Sequence, residues 1–157
     1  MTRGYGWAKK EDRCACKVPH GHWHTNTFIA ALRLDGIYAP WLLDGPMDGQ
    51  CFQVYIEKVL VPTLKPGDQV ICDNLACHRS EAVRDILASC GAEIIYLPAY
   101  SPDLNPIEMV FSKLKSLMKK ESPRNLEDII QSVSKILPKF SALECSRYFR
   151  HAQYATN

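Results

Sequence analysis

Two acidic side chains stand at positions that favour metal or phosphate chemistry. Asp73 follows the short apolar run Gln69–Cys72, and Glu108 lies two residues after Pro106, at the start of an amphipathic segment. Oxygen ligands of this kind suit Mg²⁺ or Mn²⁺, which bind through one or two carboxylates together with substrate phosphates. The alternative is that Glu108 only favours a helix N-terminus and that Asp73 only ends a strand. The residues alone leave both interpretations open.

Two polar residues follow Asp73 closely and are candidates for the same site. Asn74 is placed to orient the carboxylate or to donate to a phosphate, and His78 to contact substrate or assist proton transfer. Cys72 and Cys77 flank Asp73, but no histidine and acid accompany them in a nucleophilic arrangement, so thiol catalysis is not expected.

The elements that must position these residues follow from periodicity and turn signals. β-Branched and aromatic residues on both sides of Asp35-Gly36 predict a hairpin of Thr25–Leu34 and Ile37–Leu43, with an edge or a bulge at Pro40. Further strands are predicted at Gln69–Asp73 and Ala92–Leu97, and helices at Gln50–Leu64, Ser80–Ser89, Ile107–Lys120, Leu126–Phe140 and Ala142–Gln153. This order predicts an α/β fold with a mixed sheet flanked by helices, and it is compatible with an RNase H-like fold that lacks its first strand.

Length and composition set broader bounds. A chain of 157 residues predicts a single domain, 1–157. The net charge of +2 is too small to indicate a nucleic-acid partner by itself. No apolar run approaches the roughly 20 residues of a membrane span, so no membrane association is expected. Seven irregularly spaced cysteines indicate reduced thiols rather than a disulfide framework, which favours a cytoplasmic location.

A dense group of cysteines and histidines near the N-terminus raises the question of zinc. The residues are Cys14, Cys16, His20, His22 and His24. Structural zinc sites usually separate their two ligand pairs by a dozen or more residues. This spacing is much tighter, so a loop and strand edge is favoured over a zinc site.

A set of basic residues lies on and after the predicted helix that begins near Glu108. They are Lys113, Lys115, Lys119, Lys120 and Arg124. A solvated helix face and a phosphate-binding surface explain such a run equally well.

Several segments together resemble the catalytic half of bacterial insertion-sequence transposases related to the mariner group of DDE transposases. The segments are CDNLACH, LPAYSPDLNPIEMVFSKLK, VPHGHWHTNTFIAALRLDGIYAPWLLDGPMDG and VLVPTLKPGDQVI. The resemblance extends from about Gly4 to Tyr154, and the thirty-four residues between Asp73 and Glu108 are part of it. It implies an RNase H-like domain with extra C-terminal helices, in which two Asp and one Glu hold two Mg²⁺ or Mn²⁺ ions.

By this resemblance Asp73 is the second acid of the triad and Glu108 the third. The implied activity is DNA strand cleavage at element ends followed by strand transfer into target DNA, with a homodimer assembled on the DNA. The family's first Asp lies on a strand before the segment that matches Arg3–Trp7. We therefore expect this chain to lack that strand and its Asp, and to be impaired or inactive alone.

Three functional hypotheses follow. In the leading one, the chain is a transposase catalytic domain, and an upstream-encoded segment supplies the missing strand. The second is a non-catalytic DNA- or transposase-binding fragment, acting as a regulator or surviving as a decayed gene product. The third, a stand-alone nuclease, requires a replacement for the first Asp. Asp12, Asp35, Asp44 and Asp48 lie in predicted loops or turns, so none is expected to serve.

Overall fold

The computed structural model describes residues 7–11 and 25–154. Asp12 and the cysteines and histidines between Cys14 and His24 lie outside these ranges. The prediction that they form no zinc site therefore stays a prediction. Within the ranges, no helix is long and apolar enough to cross a membrane.

The first part of the described chain is an antiparallel hairpin of β1 (Asn26–Arg33) and β2 (Gly36–Asp44). Ile29 pairs with Trp41 and Ala31 with Tyr38, so two residues of β2 oppose one residue of β1. Pro40 is one of these two, and its neighbour Ala39 has a φ of +49°. A proline cannot donate to the ladder, which explains why pairing is interrupted here. The predicted hairpin and its irregularity at Pro40 are confirmed.

The second strand pair is parallel and consists of β3 (Gln69–Cys72) and β4 (Glu93–Tyr96), connected through helix α2 (Glu81–Ser89). Helix α2 ends where Gly91 adopts a φ of +77° and donates its N–H to the carbonyl of Ala88 at 3.0 Å. A residue without a Cβ takes this conformation at no steric cost, which explains why the helix ends here. Asp73 therefore stands at the carboxyl end of a parallel pair.

The remaining helices are α1 (Gly49–Tyr55), α3 (Ile107–Glu121), α4 (Leu126–Ile136) and α5 (Ala142–His151). The helix predicted over Gln50–Leu64 is not regular. After α1 it continues as a π-helical segment at Ile56–Leu60 and a 3₁₀ turn at Val61–Thr63, which contains Pro62. The helix predicted to reach Phe140 ends at Ile136, since Pro138 favours a 3₁₀ turn at Leu137–Lys139.

Helices cover the strands on both faces. Ile29 and Ala31 of β1 pack against the core formed with α1 and α2, whereas Phe28 and Leu32 pack against the core of α3, α4 and α5. The first core contains Ala39, Phe52, Tyr55, Ile56, Leu60, Val83, Leu87 and Ala92, and the second Val110, Leu114, Met118, Val133, Ile136, Phe140 and Cys145. The alternation places the β1–β2 hairpin between two helical layers, while Val70 of β3 and Ile94 of β4 pack against the first core. The predicted α/β class with flanking helices is confirmed.

One expectation is met only in part. In the described ranges the four strands form two separate two-stranded sheets, β1–β2 and β3–β4, rather than one mixed sheet. A side-chain ion pair links them: both Arg33 terminal nitrogens donate to the Asp68 carboxylate, at 2.8 and 2.9 Å. Arg33 ends β1 and Asp68 precedes β3, so β1 and β3 run in opposite directions.

We predict that Asp68→Asn lowers the free energy of unfolding by about 1 kcal/mol, because a partly exposed, two-pronged ion pair is lost. The hydrogen bonds from Arg33 hold the pKa of Asp68 below its usual range. This contribution is therefore fully present above the unfolded-state pKa and disappears as the pH falls through the folded-state pKa. Urea unfolding of both proteins at pH 7 and pH 3 measures it.

Asp85→Asn is the matched control, since Asp85 is an exposed carboxylate on α2. A loss that is equal for both variants, or that does not shrink in acid, would contradict the assignment.

Candidate functional site

A cleft of about 450 Å³ lies between β1 and β3. Residues from Ile29 to Asp35 line one side and residues from Asp68 to Asp73 the other. His78 and Glu108 line the same cleft. The structure thus places Asp73 and Glu108 on one cleft, although thirty-four residues separate them in the sequence.

Asp73 is positioned by the end of β3. The carbonyl of Cys72 accepts a hydrogen bond from the N–H of Leu97 at 2.9 Å, which holds the strand end against the chain after β4. The Asp73 side chain is 43% exposed, so it remains accessible to a ligand. Its Oδ1 lies 2.6 Å from Nδ1 of His78. The pair lacks hydrogen-bond alignment, and neither atom has another partner in the described part of the chain.

His78 is fixed by three contacts other than Asp73. It ends a 3₁₀ turn at Ala76–His78, its carbonyl accepts a hydrogen bond from the Tyr96 hydroxyl at 2.8 Å, and its ring lies 4.2 Å from the Phe52 ring. The side chain is only 14% exposed. The imidazole is therefore held against Asp73 by packing. Sequence reasoning missed Tyr96 and Phe52, because nothing in their spacing indicates contact with this turn.

Asn74 takes part in a contact that the sequence did not indicate. Its Oδ1 accepts a hydrogen bond from Nε of Arg79 at 2.6 Å. This leaves the amide N–H groups of Asn74 as its donors toward a ligand. Arg79 adds a positive charge beside the Asp73 segment.

Glu108 is positioned by the start of α3. Its N–H donates to the carbonyl of Asn105 at 3.1 Å, and the buried Pro106 precedes the helix. The Tyr154 hydroxyl donates to the carbonyl of Leu104 at 2.9 Å, which ties the preceding loop to the C-terminal part of the chain. Glu108 itself is exposed. The backbone at this point is thus held in place while the carboxylate stays available.

The carboxylates of Asp73 and Glu108 are oxygen donors that suit a hard cation, but they are only two. Across 7–11 and 25–154, no group of three or more His, Cys, Asp or Glu side chains is arranged to hold a metal ion. Other acids serve local roles: Asp48 accepts a hydrogen bond from the N–H of Cys51 at the start of α1, and Asp35 accepts one from the Tyr38 hydroxyl. Asp73 and Glu108 therefore fit two ligands of a larger oxygen site.

The thiol of Cys72, which precedes Asp73 in the chain, is unsuited to nucleophilic chemistry. Burial, reinforced by the negative charge of Asp73, raises the pKa of Cys72 to about 12. Because the thiolate is the reactive form, Cys72 is unreactive near neutral pH.

The predicted basic residues differ in their surroundings. Lys113 is held by Glu144, with Nζ 2.6 and 2.7 Å from its carboxylate oxygens, and lies over the Phe140 ring. Lys115, Lys119, Lys120 and Arg124 are exposed. Lys115 and Lys119 follow Glu108 by seven and eleven residues, close to two and three helical turns, so they lie on the same face of α3 as Glu108.

Solved transposase structures share this fold. The chain matches the Mos1 transposase paired-end complex with left transposon end, at 15% identity and a TM-score of 0.75, over 97% of this chain and 47% of that one. It matches the Mos1 mariner paired end complex with Mn at 14% identity and a TM-score of 0.76, over 94% and 48%. It matches the catalytic domain of Mos1 mariner transposase at 17% identity and a TM-score of 0.62, over 83% and 74%.

The chain spans about half the length of the two Mos1 transposase chains in the paired-end complexes. No curated protein sequence matches it. The mixed α/β arrangement of short sheets and flanking helices is that of the Mos1 RNase H-like catalytic domain. The family described as DDE superfamily endonuclease matches residues 1–130. With most of its length matched, the chain belongs to the DDE superfamily of endonucleases.

Proposed function

We propose that the chain is the catalytic domain of a DNA transposase, in which Asp73 and Glu108 are two carboxylates of the phosphodiester-cleaving site. The observation that carries this proposal is their position on one cleft, at the carboxyl end of β3 and the start of α3. Membership of an endonuclease superfamily and the transposase fold support it. The substrates are the ends of the mobile element and the target DNA.

The proposed cofactor is Mg²⁺ or Mn²⁺, held by Asp73 and Glu108 with at least one further oxygen ligand. Two bound ions would supply an activated water and neutralise the charge that develops on the phosphodiester. Two of the solved structures of the Mos1 catalytic domain contain Mn or Mg.

The residues around the carboxylates have separate roles in this proposal. His78 lies 2.6 Å from Asp73 and is placed to contact substrate or exchange a proton with it. Asn74, braced by Arg79, donates its amide N–H groups to a phosphate oxygen. Lys115 and Lys119 continue the face of α3 that carries Glu108 and bind the DNA backbone, with Lys120 and Arg124 beside them. The ion pair of Lys113 with Glu144 makes it the least available of the five.

The proposal includes impaired activity for this chain alone, because two carboxylates hold ions less firmly than three and fix their positions less well. An upstream-encoded segment of the same transposase would complete the site, and a homodimer would hold two DNA ends. The alternative is a non-catalytic DNA- or transposase-binding fragment. This alternative is supported by the absence, among the described residues, of a group of three or more side chains arranged to hold a metal ion.

We predict that Asp73→Asn and Glu108→Gln each weaken Mn²⁺ binding by about tenfold or more, since each removes one of two anionic ligands. Paramagnetic resonance of free Mn²⁺ during titration measures the affinity. Asp103→Asn is the control, because this exposed carboxylate precedes α3 but does not line the cleft. Equal affinities for all four proteins would remove the metal assignment.

The same variants test catalysis. We expect weak nicking of supercoiled DNA with Mg²⁺ by the chain alone, and stronger nicking after co-expression with the segment encoded immediately upstream. Asp73→Asn and Glu108→Gln should abolish it, whereas Asp103→Asn should not. Nicking that survives both substitutions would reject the catalytic proposal, and complete inactivity in every combination would favour the non-catalytic fragment.

We predict that the double variant Lys115→Ala/Lys119→Ala binds duplex DNA more weakly and with less salt dependence. Each lost phosphate contact should reduce the slope of log K against log salt by about 0.9. Fluorescence anisotropy across a salt series measures this slope. Lys58→Ala/Lys135→Ala removes the same charge from exposed positions on other elements. Equal slopes for the two double variants would contradict a specific phosphate-binding face.

A further inference from the structure

The edge of the β3–β4 sheet that carries Asp73 also carries the loops that follow both strands. The two strands are parallel, so their carboxyl ends meet at this edge. The hydrogen bond from the N–H of Leu97 to the carbonyl of Cys72, at 2.9 Å, keeps the starts of the two loops together. Residues that closely follow Asp73 in one loop and Leu97 in the other therefore lie near the same carboxylate.

Two side chains with large apolar surfaces are exposed on these loops. Leu75, two residues after Asp73, is 54% exposed, and Tyr100, three residues after Leu97, is fully exposed. An extended chain advances at most about 3.6 Å per residue, so Leu75 lies within about 7 Å of Asp73 along the backbone, and Tyr100 within about 11 Å of Leu97. Neither side chain belongs to the two hydrophobic cores. This edge thus presents an aliphatic and an aromatic side chain to solvent.

The backbone holds Tyr100 in a conformation that is uncommon for an aromatic residue. Its φ is +58°, in the left-handed region. Hydrogen bonds fix the loop that follows: the N–H of Leu104 donates to the carbonyl of Ser101 at 3.2 Å, and that of Asn105 to the carbonyl of Pro102 at 2.9 Å. Residues in such conformations persist where the surrounding structure fixes them, and they concentrate at functional sites. A fixed loop therefore presents the Tyr100 ring to solvent.

Two exposed arginines lie at the same edge. Nε of Arg79 donates to Oδ1 of Asn74 at 2.6 Å, which leaves its terminal N–H groups as donors toward a ligand. The Arg84 guanidinium lies 5.5 Å from the centre of the Tyr96 ring, whose hydroxyl donates to the carbonyl of His78 at 2.8 Å. These contacts connect α2 with the turn that ends at His78. Positive charge is thus held beside the exposed apolar side chains.

The charge of this edge is too small to bind duplex DNA by itself. Glu81 precedes Arg84 by three residues on α2, and Asp103 follows Tyr100 by three residues, and both carboxylates are exposed. Duplex DNA is bound mainly through many phosphate contacts, and two arginines beside two carboxylates supply few of these. Aromatic rings that stack on bases, together with nearby arginines, are the combination with which proteins bind unpaired strands. This edge therefore fits unpaired nucleotides better than a duplex.

We propose that Tyr100 stacks on an unpaired base of the DNA strand that enters the Asp73 site, and that Leu75 packs against the same nucleotide. Arg79 and Arg84 contact the neighbouring phosphates. Every base has a face on which an aromatic ring can stack, so this contact selects an unpaired strand and not a sequence. The inference rests on the proposed function, because its ligand is the DNA beside the reacting phosphodiester. It adds that this DNA is locally unpaired.

The stacking contact is tested with two labelled strands that differ only in their bases. One is a ten-nucleotide oligothymidine, and the other is an abasic strand of the same length and charge. Fluorescence anisotropy at low salt measures the affinity of each strand for the full chain. We expect the oligothymidine to bind about fivefold more tightly or better, which is the effect expected of one stacked base.

Variants of Tyr100 assign this preference to its ring. Tyr100→Asn removes the ring without added backbone strain, because asparagine tolerates a positive φ, and we expect it to bind the two strands equally. Tyr100→Phe keeps the ring and should keep the preference. Leu75→Ala should reduce the preference, whereas Leu143→Ala, which truncates an exposed apolar side chain on α5, should not.

The arginines are tested by their effect on both strands. We expect Arg84→Ala to weaken binding of the oligothymidine and of the abasic strand alike, because a phosphate contact does not depend on the base. Arg147→Ala removes the same charge from an exposed position on α5 and is the matched control. Equal affinities for these two variants would remove Arg84 from the proposed surface.

Equal binding of the two strands by the unsubstituted chain would overturn the inference, and so would a preference that survives Tyr100→Asn. The proposed function fails differently. A chain that binds duplex DNA through Lys115 and Lys119, but shows no preference for the strand with bases, keeps the proposed function and loses this inference. A preference that depends on Tyr100, in a chain whose metal binding ignores Asp73 and Glu108, would keep the stacking contact and reject the catalytic site.

Discussion

The placement of two carboxylates on one cleft by separate elements is the constraint on which this site depends. Asp73 and Glu108 come from different elements, and nothing in their local sequence requires them to meet. The ring of His78 lies against Asp73, and Arg79 adds a positive charge beside the same segment through its hydrogen bond to Asn74. The Asp73 and Glu108 carboxylates both remain accessible to a ligand.

Different parts of the fold support the segment that contains Asp73 and the segment that contains Glu108. On one side, β3 pairs with β4, and the Phe52 and Tyr96 contacts fix the turn that contains His78. On the other, the loop before α3 is tied to the C-terminal part of the chain through Tyr154. Between these supports, the Arg33–Asp68 ion pair links the two sheets.

Local sequence signals predicted most elements well, for physical reasons that can be named. Gly91 takes a positive φ that favours glycine, so the end of α2 was predictable. The Asp35-Gly36 pair predicted the hairpin, although Leu34 and Asp35 form its loop and Gly36 begins β2. Pro62 lies in the 3₁₀ turn after the π-helical segment, and Pro138 explains why α4 ends at Ile136 and not at the predicted Phe140. The π-helical segment after Tyr55 has no comparable signal. The pairing of strands depends on neighbours far away in the sequence. Separation into two sheets therefore became visible only in the structure.

In the candidate site, too, the sequence predicted some residues, whereas their contacts became visible only in the structure. Asp73, Asn74, His78 and Glu108 were identified from their positions at element ends and from the resemblance to DDE transposases. The contacts of Tyr96 and Phe52 with the His78 turn, and of Glu144 with Lys113, depend on tertiary packing and had no sequence signal. Lys113 shows the consequence most clearly. Its charge makes it look available in the sequence, whereas in the fold it is paired.

The most direct test of the shared carboxylate site is the anomalous scattering of Mn²⁺ in a crystal of this chain. The account predicts an anomalous difference peak at the end of the cleft, within coordination distance of carboxylate oxygens from both Asp73 and Glu108. A peak bound elsewhere, or none at a Mn²⁺ concentration that saturates binding in solution, would contradict it.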